Sequence, residues 1–158
     1  MRTLISLQRT VVLCSVVLAA CGNQSASGKL VLQLCPKTVN DGGAAAALSM
    51  VLAYHGHPVA QEVLQKELRL PDGTTDALKM IQSARTHGVI ARGVKVPSKE
   101  LLAQLPVGSI IHRNDRRFQV LEKIAGDRVT VLDPFDGRQT LPIDSFWANF
   151  STVALLFE

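Results

Sequence analysis

The spacing of apolar positions changes midway along the chain. Residues Gly43 to His55 read GAAAALSMVLAYH, apolar nearly all round. That pattern predicts a buried helix, because no face of it is suited to water. Gly56 stops it. Pro58 suits the first turn of a second helix to about Arg69, with Val59, Val63, Leu64 and Leu68 on one face. Pro71-Asp72-Gly73 reads as a turn. Thr75 to His87 predicts a third helix, with Leu78, Ile81 and Ala84 or Arg85 at helical spacing, closed by Gly88. Val89 to Val96 predicts a short strand, and Pro97-Ser98 opens a short helix through Leu105 with Ser98 as its N-cap.

After Pro106 the period becomes two. Ser109 to His112, Arg117 to Ile124, Arg128 to Leu132, Arg138 to Leu141 and Thr152 to Phe157 read as strands. Ala125-Gly126-Asp127 and Asp136-Gly137 are hairpin turns, and Pro142 to Asn149 is a short helical turn carrying Trp147. Helices first and antiparallel strands second predict an α+β domain. No internal repeat is visible.

Ahead of this body lies a different pattern. Arg2 and Arg9 precede an apolar run from Val11 to Ala20. The run is about ten residues, and a membrane span needs about 20, so it reads as a signal-peptide core. It ends in Leu18-Ala19-Ala20-Cys21. This resembles a bacterial lipobox, which implies cleavage before Cys21 and lipidation of its sulfur. An ordinary signal peptide cut at an Ala-x-Ala-like site is the alternative. Gly22 rather than Asp follows the cysteine, which by the same resemblance implies the outer membrane, facing the periplasm. The expected organisation is a signal peptide at 1–20, a lipidated Ser/Gly-rich tether at 21–29 and one domain at 30–158.

Composition narrows the function classes. The chain has 158 residues, 47% of them apolar and 19% charged, which excludes a disordered or collagen-like protein and leaves room for one domain. An aromatic content of 4% argues against a protein that stacks nucleic-acid bases. Removing residues 1–20 takes Arg2 and Arg9 from the 17 basic residues and nothing from the 13 acidic ones, so the net charge falls from +4 to +2. The charge argument for nucleic acid goes with it. Of the 3 cysteines, Cys14 would leave with the signal and Cys21 would carry lipid, so Cys35 has no partner within the chain for a disulfide.

One constellation carries chemistry. Asp41-Gly42-Gly43-Ala44-Ala45-Ala46 leads into Leu48-Ser49-Met50-Val51-Leu52-Ala53-Tyr54-His55-Gly56. Further on stand Ile110-Ile111-His112, Phe118-Gln119-Val120-Leu121, Val131-Leu132-Asp133-Pro134 with Gly137, and Phe146-Trp147. In order and spacing these resemble the double-glycine peptidases, papain-like cysteine peptidases that trim leader peptides from bacteriocins and similar exported peptides. The resemblance spans about Val31 to Phe157. It implies a papain-like fold with N-terminal helices packed on a C-terminal antiparallel sheet.

By this resemblance the nucleophilic cysteine falls on Gly42 and the catalytic histidine on Arg117, while the acid is kept as Asp133. Thiol catalysis needs a thiolate activated by a nearby imidazole. Glycine has no side chain to attack with, and a guanidinium of pKa above about 12 is no base at neutral pH. The family's oxyanion glutamine would fall on Pro36; Gln33 could take that role only if the loop to Asp41 is longer here. Cys35 lies upstream of the helix and is read as a loop or strand cysteine, with a folded-back nucleophile or an intermolecular disulfide as alternatives. His112 is read as structural, His55 and His57 as solvated or dipole-compensating at a helix end, and His87 likewise. Arg117 is expected to pair with Asp133, to stand beside the backbone N–H groups at Gly42–Ala44 as an anion site, or to be an exposed arginine that merely replaces a dispensable histidine. The candidate peptide- or anion-binding set is therefore Gly42, Gly43, Arg117, His112 and Gln33.

The functional expectation is a catalytically inactive, lipid-anchored domain that binds a peptide or leader segment as an accessory to export or envelope assembly. Its expected partners are that segment, an exporter complex and the membrane reached through the anchor; no cofactor, metal or nucleic acid is expected. The alternatives are an active peptidase using Cys35 or an unrecognised nucleophile, and a purely structural envelope lipoprotein.

Overall fold

A computed structural model describes Leu34 and residues 43–69 and 75–158. The first helix, α1 (Ala44–Tyr54), is buried from Ala44 to Leu52. Its four leading alanines let neighbouring elements approach closely, and Leu48, Met50, Val51 and Leu52 fill the space beyond them. Each such side chain is worth about 1.5–3 kcal/mol on burial. Ser49, the polar residue inside this helix, is satisfied by donating to the Val59 carbonyl at 2.7 Å. The helix closes as predicted at Gly56, where φ is +83°. There the His57 N–H reaches Leu52 O at 2.8 Å and the Gly56 N–H reaches Ala53 O at 3.1 Å, the paired bonds of a Schellman closure.

Helices α2 (Gln61–Leu68) and α3 (Ala77–Thr86) pack beside α1. Both are shorter than the spacing predicted. Pro58 precedes α2 without entering it, and Asp76 caps α3 by accepting from the Lys79 N–H at 2.7 Å. Their buried faces also differ from expectation. Val63 is 45% and Leu78 60% exposed, whereas Leu64, Leu68, Met80 and Ala84 are buried. In helices this short several stripes satisfy a helical period, and the neighbouring helix decides which one is covered.

The two helices are also tied by polar groups. Glu67 of α2 accepts from the Ser83 hydroxyl at 2.6 Å, and its carboxylate lies 3.1 Å from His87 Nε2 at the end of α3. His87 thus serves a specific partner instead of a bare helix end. His55 departs from expectation too. It is partly buried, its Nε2 has no hydrogen-bond partner among the described residues, and burial, helped by His57, lowers its pKa.

The strands are β1 (Ala91–Lys95), β2 (Ile110–Arg113), β3 (Phe118–Ala125), β4 (Arg128–Asp133), β5 (Gly137–Pro142) and β6 (Phe150–Phe157). They form a six-stranded antiparallel sheet in the order β1-β6-β2-β3-β4-β5. The β3–β4 hairpin turns on Gly126 and Asp127, with Gly126 at φ +59°, the first-position glycine that a type II′ turn requires.

Both faces of the sheet are covered. Ile110, Val120, Leu132 and Leu155 point into the core under α1–α3. Ile111, Leu121, Val131 and Ala154 point the other way, into a second core closed by α4 (Lys99–Leu102) and α5 (Ile143–Asn149). Between His112 and Arg113 the register of β2 against β6 slips, leaving Ser151 and Thr152 in a bulge with Thr152 at φ +62°. A positive φ is rare for a β-branched residue. The α+β class with N-terminal helices on a C-terminal antiparallel sheet is the fold observed.

Candidate functional site

Three segments meet at one end of the sheet: the start of α1, the β2–β3 connection and the β4–β5 connection. Gly43 is the N-cap of α1 and takes a left-handed φ of +80°. A Cβ there would stand 3.0 Å from Pro134 Cγ and 3.1 Å from Phe135 Cε2. Glycine is needed both for the backbone conformation and for the room.

Asp133 ends β4 and is fully buried. Its Oδ1 accepts from the Phe135 N–H at 2.7 Å and the Asp136 N–H at 3.2 Å. Its Oδ2 accepts from Gln119 Nε2 at 2.6 Å and lies 3.8 Å from Arg113 Nη1. Those donors engage both carboxylate oxygens. The carboxylate folds the Pro134–Asp136 turn against α1 and faces the partly buried Arg113, whose Nη2 also pairs with Asp115 Oδ2 at 3.1 Å.

The expected Arg117–Asp133 pair is not made; Arg113 takes the acid instead. Arg117 sits between Asp115 and Asp136, with Nη1 3.2 Å from Asp136 Oδ2 and Nε 3.7 Å from Asp115 Oδ2. Its guanidinium carbon lies 4.5 Å above the centre of the Phe135 ring, a cation–π distance. The register explains the exchange. Arg113 donates its N–H to the Arg117 carbonyl at 2.9 Å across the hairpin, and Arg116 takes φ +64° in the turn. Arg113 thereby follows Ile111 onto the face where Gln119 and Asp133 point. Between that face and α5 lies a cavity of about 40 Å³, lined by Arg113, Gln119, Phe146, Asn149 and Phe150 among others.

His112 pairs with Phe118 across the hairpin, and the two rings lie 5.1 Å apart on the face covered by α1. The Ser151 hydroxyl donates to the His112 carbonyl at 2.8 Å, so His112 Nδ1, 2.8 Å from Ser151 Oγ, carries the hydrogen that Oγ accepts. Burial lowers the His112 pKa, and the opposing pull of Asp115 does not restore it. The ring is a packing element held by the bulge. Gln33, Cys35, Gly42 and Cys21 lie outside the described residues.

The model of the peptidase C39 family matches residues 35–158. The chain belongs to the peptidase C39 family. Several C39 domains of known structure share the fold. One is a double-glycine-motif protease from an AMS/PCAT transporter, solved in complex with the leader peptide. It is 29% identical, with a TM-score of 0.73 over 84% of this chain and 94% of that one. Another is the peptidase domain of Streptococcus ComA, a bifunctional ABC transporter of a quorum-sensing pathway. It is 17% identical, with a TM-score of 0.71 over 80% and 97% of the two chains. A third is the N-terminal C39-like domain of the toxin secretion ATP-binding protein from Vibrio parahaemolyticus, 15% identical with a TM-score of 0.63 over 77% and 98%. No curated protein sequence matches the chain.

Within this C39 fold, the structure brings Gly43, Arg117 and Asp133 to one end of the sheet and leaves His112 on the helix-covered side of it. Sequence reasoning missed Arg113, Gln119, Phe135 and Asp136. One signal was present for Gln119, a polar residue inside the apolar run Phe118 to Leu121. Such a residue is buried on one face of a strand and needs a partner there.

Proposed function

We propose that this C39 domain is catalytically inactive and binds a peptide or leader segment without cleaving it, as an accessory to export or envelope assembly. The observation that carries this reading is the state of Arg117. It stands where the double-glycine peptidases place the histidine base, it cannot take up a proton at neutral pH, and its guanidinium is engaged by Asp136, Asp115 and the Phe135 ring. Gly42, at the nucleophile position, has no atom that could attack a carbonyl. Asp133 is held by Gln119 and by the turn it folds, a role that requires no catalysis. The transporter protease with 29% identity was solved with a leader peptide bound, and its likeness in fold supports a peptide as the ligand class here.

Residues 1–20 act in this proposal as a lipoprotein signal and Cys21 as the lipidated residue. Residues 21–29 tether the domain to the outer membrane, on its periplasmic side. Peptide capture at a membrane surface suits an accessory to an exporter.

The test mixes the full chain with a fluorescent synthetic leader peptide ending in Gly-Gly plus a short cargo, followed by anisotropy and mass spectrometry. Binding with an intact peptide is expected. Cleavage after Gly-Gly would overturn the reading, and loss of that cleavage in Cys35→Ser would point to Cys35 as the nucleophile. Absence of both binding and cleavage would leave a structural lipoprotein. Palmitate labelling lost in Cys21→Ala is expected for the anchor.

A further inference from the structure

A sheet that does not close on itself has two edge strands, and each turns a row of N–H and C=O groups toward whatever lies beside it. Here the edges are β1 and β5. The β5 edge is blunted. The Ile143 N–H donates to the Asp127 carbonyl, so the antiparallel alternation turns the backbone groups of residues 140 and 142 outward. Pro142 has no N–H to offer, and the Thr140 carbonyl accepts from Arg128 Nη2 at 3.3 Å.

The β1 edge is open. Ile90 and Glu158 exchange both of their backbone bonds, at 3.0 and 2.9 Å, and the Val96 N–H donates to the Thr152 carbonyl at 2.8 Å. Alternation between those two pairs commits Arg92 and Val94 to β6 and turns Ala91, Gly93 and Lys95 outward. Arg85 of α3 caps the outward Ala91 carbonyl, from Nε at 3.1 Å and from Nη2 at 2.7 Å. The outward N–H and C=O groups of Gly93 and Lys95 meet no partner among the described residues, and both residues are exposed.

Helix α3 overhangs this edge. Arg85 reaches Ala91, and one turn earlier Ile81 Cδ1 lies 3.5 Å from where a Gly93 Cβ would stand. Four helical residues advance about 6 Å and two strand residues about 7 Å, so helix and strand run antiparallel and in step. Leu78, three positions before Ile81 on the same helical face, continues the row toward Lys95 and is 60% exposed. The open backbone is thus flanked by an apolar step, Ile81 and Leu78, with one cation at each end, Arg85 and Lys95. Neither cation forms an ion pair among the described residues.

We propose that the free edge of β1 is a docking surface for an extended peptide segment of the pattern acid-x-apolar-x-acid, which adds to the sheet as a further strand. Gly93 and Lys95 supply the ladder bonds, the mode by which strand addition gains affinity. The apolar side chain opposite Gly93 lies beside Ile81 and Leu78, in room that a larger residue at 93 would take. The two acids share its face, because side chains two apart do, and they meet Lys95 and Arg85. The pattern reads the same in both directions, so either strand polarity fits. A second copy of the chain fits worse. Pairing two β1 edges about Gly93 sets Lys95 of one copy against Ala91 and its capping Arg85 of the other, and like charges placed opposite each other are destabilising. This edge is apart from the Gly43–Arg117 end, and its use does not depend on whether the chain cleaves peptides.

The test uses the full chain and a fluorescein-labelled probe, Thr-Glu-Thr-Leu-Thr-Glu-Thr, with a control in which lysine replaces both glutamates; anisotropy reads binding. Gly93→Pro removes one outward N–H and leaves the β1–β6 bonds of Arg92 and Val94 in place. The acidic probe is expected to bind the parent saturably and to lose binding in Gly93→Pro at an unchanged circular dichroism spectrum. Lys95→Glu is expected to weaken it by about fivefold, the scale of an exposed ion pair. No binding of the acidic probe to the parent would overturn the proposal. So would equal binding in Gly93→Pro, or equal binding of the lysine control. Should Gly93→Pro prove unfolded, Lys95→Pro, which also removes an outward N–H, replaces it under the same criterion. A dimer seen by analytical ultracentrifugation that Gly93→Pro abolishes and the probe does not displace would overturn the proposal in favour of a second copy.

Discussion

Arg113 Nη1 lies 3.8 Å from Asp133 Oδ2, and no other ion pair of this carboxylate is formed among the described residues. The same carboxylate accepts from Gln119 and from two backbone N–H groups of the following turn. An acid that could be taken for the remnant of a catalytic set is therefore the centre of a buried polar network. Such networks are costly to break at any member, because each group left behind is buried without a partner.

Asp133→Ala is accordingly expected to destabilise the chain. It strips the acceptors from Gln119 Nε2 and from two turn N–H groups and leaves Arg113 facing no buried carboxylate. Each buried group left unsatisfied costs about 1–3 kcal/mol. Urea unfolding followed by circular dichroism measures the loss. An unchanged midpoint would mean that the network is not a structural element.

Gly43→Ala tests the packing at the start of α1. The new methyl would meet Pro134 at 3.0 Å and Phe135 at 3.1 Å, on a backbone held at φ +80°. The left-handed conformation alone costs a non-glycine residue about 1–2 kcal/mol. A fall in stability of at least that size is expected. A variant as stable as the parent would show that the β4–β5 turn is free to move away from the helix.

Asp136→Asn probes Arg117 as an anion site. The carboxylate of a bound peptide must compete with Asp136, whose Oδ2 is 3.2 Å from Nη1. This pair is more than a third exposed, and exposed pairs are worth about 0.2–1 kcal/mol. Removing the competitor should tighten binding of a peptide with a free C-terminal carboxylate by about two- to fivefold, with no gain for the amidated peptide. Anisotropy with the two peptides decides it. Equal affinities in Asp136→Asn and in the parent would exclude Arg117 from carboxylate binding.

The α2–α3 clamp predicts a pH dependence. Partial burial raises the Glu67 pKa, but the hydrogen bonds from Ser83 and His87 and the charge of His87 together lower it below the ordinary carboxylate value of 4.5. A carboxylate whose folded pKa is depressed stabilises the fold above its unfolded pKa and loses that contribution as pH falls through the folded value. The parent chain should therefore exceed Glu67→Gln in stability at pH 6, and the gap should narrow as pH drops below about 4.5. Urea midpoints of the two proteins at pH 6, 4 and 3 test this. A gap independent of pH would assign the effect of Glu67 to packing instead of charge.

The features legible in the chain were those set by near neighbours. A helix apolar on every side has to be buried, and α1 is. Alternating residues around Gly126-Asp127 can only make a hairpin of that register without exposing Val129 and Val131. The absence of a thiol at residue 42 and of an imidazole at residue 117 is likewise a property of residue type, readable from the chain once the resemblance is seen.

Tertiary structure decided what depends on residues far apart in the chain. Of two arginines four positions apart, Arg113 and not Arg117 reaches the buried Asp133, and the bulge of β6 at Ser151 and Thr152, nearly forty positions away, goes with the register slip at Arg113. The ring of Phe135 looks like an ordinary turn residue in sequence. Its contact with Gly43 exists because Asp133, itself held by Gln119 from the neighbouring strand, pins the turn against α1. Periodicity states which side of a strand a residue faces, but only the assembled sheet determines what stands opposite it.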